Sequence, residues 1–139
     1  MLQLRVDRVA MEVGGEQGVV ILKDIDGKRV LPIWIGMLEA TSIAMEMEGI
    51  RPARPLTHDL IKSMLDTLKA EVCMVIIHDL KDSTFFGQVV LKSQGDTMEI
   101  DSRPSDAIAL ALRANAPIFV SEQVMNDAGL AANQDPTVH

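Results

Sequence analysis

Apolar and polar residues alternate over residues 2–13 and again over 18–25, the period-two pattern of half-buried strands. Gly14-Gly15-Glu16-Gln17 reads as the turn between them, and Asp26-Gly27 is a hairpin signal into a third strand over residues 28–35. The three segments predict an antiparallel meander. Beyond Gly36 the period lengthens: Leu38, Ile43 and Met45 recur at helical spacing as far as Glu48, and Gly49 suits the position that closes a helix. The loop Ile50-Arg51-Pro52-Ala53-Arg54-Pro55 follows. Thr57 then offers an N-cap to a second helix through about Leu68, with Leu60, Ile61, Met64, Leu65 and Leu68 on one face.

The second half repeats this plan. An apolar strand over Glu71 to His78 turns at Lys81-Asp82-Ser83, returns over Thr84 to Lys92, and turns again at Gln94-Gly95-Asp96 into a strand over 97–101. Pro104 is tolerated in a first helical turn, and Ala107 to Arg113 is rich in helix formers, which predicts a third helix to about Ala114. Pro117 to Val120 forms a short strand, Ser121-Glu122 opens a last short helix ending at Gly129, and residues 130–139 read as a frayed tail. Sliding the chain by 67 positions lays Glu39-Ala40 on Asp106-Ala107 and Ile33 on Ile100. The halves therefore resemble one β-β-β-α unit used twice, although two unrelated meander-plus-helix segments would look much the same.

Composition bounds the reading without selecting a chemistry. With 139 residues, 47% hydrophobic and 24% charged, the chain is sized for one domain with a core, which excludes disorder as its main state. The single cysteine, Cys73, lies in an apolar run, can form no disulfide within the chain, and is expected as a buried thiol in a reducing compartment. No apolar stretch approaches the length of a membrane span and the first residues lack a secretory pattern, so no membrane role is expected and a cytoplasmic location is. A formal charge of −7 argues against nucleic-acid binding by charge alone, and three phenylalanines, one tryptophan and no tyrosine argue against base stacking. The acidity does not exclude a phosphodiester held by a few arginines beside carboxylates that bind a divalent cation. The nine methionines are expected mostly as core filling.

Two element junctions concentrate the chemically able residues: Arg54-Pro55-Leu56-Thr57-His58-Asp59 and Asp101-Ser102-Arg103-Pro104-Ser105-Asp106. Each reads Arg-Pro, a hydroxyl, then an aspartate. Arginine, hydroxyl and the free amides of a helix N-terminus together make a cradle for phosphate. The bland alternative is capping: Thr57, Ser102 and Ser105 are ordinary N-cap residues, and Asp59 and Asp106 favour a helix dipole or pair with Arg54 and Arg103. His58, beside Asp59, could serve as a base or a ligand or simply be solvated, and Glu39 is a further candidate carboxylate. Walker, dinucleotide-glycine, Cys-x-x-Cys, His-Glu-x-x-His and nucleophile-elbow patterns do not occur.

Leu31-Pro32-Ile33-Trp34-Ile35-Gly36 with Glu39-Ala40, the Arg54 to Leu60 segment, and Asp101 to Leu110 with Ala116-Pro117-Ile118 resemble the bifunctional nuclease domain family over about residues 1–130. The resemblance implies an α+β fold, association into homo-oligomers, and action on both RNA and DNA. Its motif positions fall on Glu39, Arg54, His58, Asp59, Asp101, Arg103, Ser105 and Asp106. By their chemistry, Asp101, Asp106, Asp59 and Glu39 are expected to hold Mg²⁺ or Mn²⁺, Arg54, Arg103 and Ser105 to bind the phosphate, and His58, with Asp59 and Asp106, to handle the attacking water. The rival expectations are a non-catalytic homo-oligomer that binds an anion or a partner protein, and an adaptor that buries exposed Met and Leu surfaces against partners.

Overall fold

A computed structural model describes residues 1–135. Two three-stranded meanders, β1 (Leu2–Met11), β2 (Gln17–Asp24), β3 (Arg29–Gly36) and β4 (Glu71–Lys81), β5 (Thr84–Ser93), β6 (Asp96–Ser102), lie on either side of a short strand, β7 (Ile118–Val120). With β8 (Leu130–Ala131) they form one eight-stranded sheet of order β6-β5-β4-β7-β1-β2-β3-β8, antiparallel except where β7 runs parallel to β4. The sheet is open, with β6 and β8 as its edges. Each hairpin has a local cause. Asp24 Oδ1 accepts from the amides of Lys28 at 2.8 Å and Arg29 at 3.2 Å, and Gly27 supplies the positive φ of +75° that the turn needs.

The helices α1 (Met37–Met47), α2 (Thr57–Thr67) and α3 (Pro104–Ala114) pack together, and α3 is the central one, burying Ala107 to Ala111. The main core joins their inner faces to Leu22, Leu31, Ile33, Val75, Ile77 and Val120 of the sheet. A last helix, α4 (Glu122–Ala128), is capped by Ser121, whose hydroxyl accepts from the Val124 amide at 3.2 Å. The element order repeats as β1-β2-β3-α1 and β4-β5-β6-α3, with α2 inserted between the two units.

Several local expectations are corrected. Residues 130–135 do not fray: Leu130–Ala131 pair with Val30 and Arg29, a 3₁₀ turn spans Ala132–Gln134, and buried Asp135 is salt-bridged to Arg8. The rest of that expected tail, residues 136–139 with His139, lies outside the described residues. Cys73 is half-buried because the pairing of β4 shifts between Val72 and Met74, which takes it out of the regular inward alternation. The apolar face of α2 is split: Ile61 and Leu65 pack on the core while Leu60, Met64 and Leu68 stay more than half exposed. Met47 and Met64 are exposed too, so core filling does not describe the methionines generally, although Met125 is fully buried. Thr57 is the first residue of α2 and Leu56 its N-cap; Arg103 is the N-cap of α3, so Ser102 and Ser105 do not occupy that position.

Candidate functional site: a polar relay across three helix N-termini

Because both repeat units run strand into helix in the same way, Glu39 and Asp106 occupy the same position, third in α1 and third in α3. Asp59 is third in α2. All three carboxylates thus sit where the free amides and dipole of a helix start favour negative charge. The first turns of the three helices share one pocket of about 640 Å³, whose wall includes Glu39, Ser42, His58, Arg103 and Asp106. The Pro55–His58 part of one junction and Arg103 with Asp106 of the other therefore meet in this pocket, without Arg54.

The polar groups form a continuous line. Arg103, the N-cap residue of α3, donates from Nε to Asp106 Oδ2 at 2.9 Å and from Nη2 to Glu39 Oε1 at 3.2 Å. Asp106 Oδ1 lies 2.9 Å from Nε2 of His58, whose Nδ1 is 2.8 Å from Ser42 Oγ. Arg113 then donates to Ser42 Oγ at 3.2 Å, to the Ser42 carbonyl at 3.3 Å and to Asp59 Oδ1 at 2.6 Å. Asp59 closes the line by accepting from the Leu56 amide at 2.9 Å, the half of a capping box that a carboxylate provides.

Exposure is graded along this line. His58, Ser42 and the Arg113 side chain are buried, the Asp106 side chain is one-third exposed, and the Arg103 side chain is 66% exposed at the mouth. Partial burial pushes the Asp106 carboxyl up, but hydrogen bonds from Arg103 and His58 and their charges outweigh it, leaving Asp106 below the usual carboxylate range. The same balance, with the Leu56 amide and Arg113 as the favourable partners, lowers Asp59. Arg103 is raised by its hydrogen bond to Asp106 and by the charges of Asp106 and Glu39. Asp106 is therefore ionised at neutral pH, and a carboxylate 2.9 Å from an imidazole nitrogen requires that nitrogen to carry a proton.

Glu39, His58, Arg103 and Asp106 come together as the sequence suggested. Asp59 is joined to them by hydrogen bonds through Arg113 and Ser42, and lines a neighbouring pocket of about 250 Å³ with Arg51 and Arg113. Arg54 is exposed in the loop before α2, Ser105 is buried in the first turn of α3, and Asp101 is exposed on β6; none of the three lines the central pocket. The expected four-carboxylate cage is not gathered: among the described residues, no group of three or more His, Cys, Asp or Glu is placed to hold a metal ion. Glu39 and Asp106 are the carboxylates in the wall of the central pocket, and both accept from Arg103.

Sequence reasoning missed Ser42 and Arg113. Ser42 has one faint signal, a hydroxyl residue on the inward side of an apolar helix beside Ile43, whereas Arg113 looks like an ordinary cation in the last turn of α3. Their meeting spans 71 positions of sequence. Serine, histidine and an acid do come together here without a nucleophile-elbow sequence, but the serine is buried on Nδ1 and already accepts from Arg113, which makes it an anchor for the ring.

Fold and pocket define an α+β protein with an acid, an imidazole and an exposed guanidinium converging on helix N-termini. The model of the bifunctional nuclease domain matches residues 20–133, and the chain belongs to that family. It is 41% identical over 130 residues to an uncharacterized protein of Mycobacterium tuberculosis, covering 94% of this chain and 77% of that one. It is 30% identical over 115 residues to bifunctional nuclease 1 of Arabidopsis thaliana, and 29% identical over 118 residues to bifunctional nuclease 2 of Oryza sativa subsp. japonica. Those matches cover 80% and 82% of this chain but only 35% and 36% of the plant proteins, so it spans about a third of their length.

Proposed function

We propose that the central pocket binds and hydrolyses a phosphodiester of RNA and DNA. The observation that carries this is an ionised carboxylate, Asp106, held between buried His58 and exposed Arg103 where three helices begin. In this reading Arg103 turns its free donors to the phosphate oxygens, helped by the positive ends of α1 and α2. His58 holds Asp106 by its Nε2 proton, and Asp106 orients the attacking water and accepts its proton. A carboxylate below its ordinary range is a weak base, which favours assistance from a divalent ion. Glu39 and Asp106 would hold Mg²⁺ or Mn²⁺, whose charge would acidify the water and offset charge on the phosphate. Asp59 acts at one remove, by fixing Arg113, while Arg54, exposed in the loop before α2, would contact more distant phosphate.

Arg103→Ala tests the phosphate role. Losing a charge-assisted hydrogen bond of about 1.5–3 kcal/mol raises KM roughly 10- to 150-fold, with the melting temperature little changed because the side chain is mostly exposed. An unchanged KM on an oligonucleotide of defined length would remove Arg103 from the reading.

The bare stripe Leu60, Met64 and Leu68 on α2 favours a second component, association into a homo-oligomer. Sedimentation of wild type and Met64→Lys tests it, and a monomer at micromolar concentration in both would count against it. A non-catalytic anion- or protein-binding module predicts binding at the same pocket with no turnover in the purified protein.

A further inference from the structure

The buried half of the relay has a function of its own: we infer that Ser42 and Arg113 are positioning residues that make the Ser42 hydroxyl a donor to Nδ1 of His58, so that the imidazole keeps its proton on Nε2, facing Asp106. The inference deepens the proposed reading of the pocket, but its geometry stands without any turnover.

Donor and acceptor capacity fixes the direction of each contact. Guanidinium can only donate, so the 3.2 Å contact between Arg113 Nη2 and Ser42 Oγ uses a lone pair of the hydroxyl oxygen. The second donation from the same nitrogen, to the Ser42 carbonyl at 3.3 Å, fixes the guanidinium on that turn of α1, and Nε is fixed by Asp59 at 2.6 Å. Arg113 also donates from Nη1 to the Ala109 carbonyl at 2.9 Å, so each of its three nitrogens is engaged. At the other end, Asp106 requires a proton on His58 Nε2. A neutral imidazole then presents a lone pair at Nδ1, 2.8 Å from Ser42 Oγ, and only the hydroxyl proton can satisfy it. Because Ser42 and His58 are both buried, water is a poor substitute, and a missing donor leaves a ring nitrogen unpaired. The two carboxylates at the ends, Asp59 and Asp106, thereby orient one polar chain in a single direction: Arg113 to Ser42, Ser42 to His58, His58 to Asp106.

The test is imidazole ¹⁵N spectroscopy of the full chain at a pH where the ring is neutral, with His58 identified by its absence in His58→Gln. In wild type, Nε2 should show the protonated, pyrrole-type shift and Nδ1 the pyridine-type shift displaced by an accepted hydrogen bond. Ser42→Ala should move Nδ1 to the shift of an unbonded pyridine-type nitrogen. Ser42→Thr, which keeps the hydroxyl, should restore it, and Ser42→Cys, a weaker donor that retains the volume, should fall between. Arg113→Gln should shift Nδ1 in the same direction as Ser42→Ala. A proton on Nδ1 in wild type, or ¹⁵N shifts unmoved in Ser42→Cys, would overturn the inference whether or not the protein cleaves nucleic acid. If the pocket also turns over, Ser42→Ala should lower kcat by about 10-fold or more, as loss of an outer-shell partner commonly does, with KM held by Arg103. A changed KM with kcat intact would contradict the positioning role.

Discussion

Replacing Arg113 by Ala should destabilise the fold far more than its position near a helix end suggests. Its side chain is 6% exposed and makes four hydrogen bonds, three of which tie the end of α3 to α1 and α2. Removing the guanidinium leaves the Asp59 carboxylate without its ion partner and takes from Ser42 both of its donors from Arg113. Breaking a buried pair by deleting one member costs about 3–5 kcal/mol, and because the Asp59 side chain is 26% exposed the lower end applies, about 3 kcal/mol. A typical domain has only about 5–15 kcal/mol in total. With a urea dependence of about 1–3 kcal/mol per molar, the unfolding midpoint should fall by about 1–3 M. Arg113→Lys should recover less than half of this, since an ammonium cannot reproduce the fork. In a double-mutant cycle with Asp59→Asn, the two losses should be clearly less than additive. A midpoint for Arg113→Ala within about 0.2 M of wild type, or strict additivity with Asp59→Asn, would refute the claim that this pair organises the helices.

Three further outcomes follow from the same geometry. Asp59 and Asp106 both have carboxyls lowered on folding, so their stabilisation is complete above the ordinary aspartate value near 3.8 and is lost as pH falls through their lower folded values; acid unfolding followed by circular dichroism should shift to higher pH in Asp59→Asn, and no shift would contradict the assignment. A Cβ on Gly87 would lie 3.1 Å from the Ser102 carbonyl oxygen and 3.3 Å from Pro104 Cα, so Gly87→Ala should displace the start of α3 and lower activity on oligonucleotides more than it lowers the melting temperature; equal fractional losses would argue against this route. Leu65→Ala should cost about 2 kcal/mol or more in urea unfolding, whereas Leu60→Ala, on the bare side of α2, should cost under about 0.5 kcal/mol in the monomer, and reversal of that order would mean the helix is packed otherwise.

The strands and helices were legible because their signals are local. Asp26-Gly27 and Gln94-Gly95 announce turns whose φ values are indeed positive at Gly27, Gln94 and Gly95, and Gly49 follows the end of α1 at φ +69°. The shared offset of Glu39 and Asp106 was visible too, and the fold explains it by giving both residues the third position of a helix that follows a meander. What could not be read was partnership across distance. Asp59 resembles a second copy of Asp106 in sequence, yet its oxygen is taken by Arg113, an arginine 54 positions away, and Asp101 is carried outward by the edge strand β6. The same applies to α2: five apolar positions imply one buried face, but among the described residues its main helical neighbour is α3, and three of the five, Leu60, Met64 and Leu68, remain bare.

Cleavage of a labelled oligonucleotide by rigorously purified wild type and Asp106→Ala, each with and without chelator, tests the central claim most directly, with melting curves run on the same samples. The account predicts turnover by wild type, suppressed by chelator and restored by Mg²⁺ or Mn²⁺, and a loss of about 10²-fold or more in Asp106→Ala, which stays folded. Equal cleavage by both proteins, or no cleavage by either under any ion condition, would contradict it.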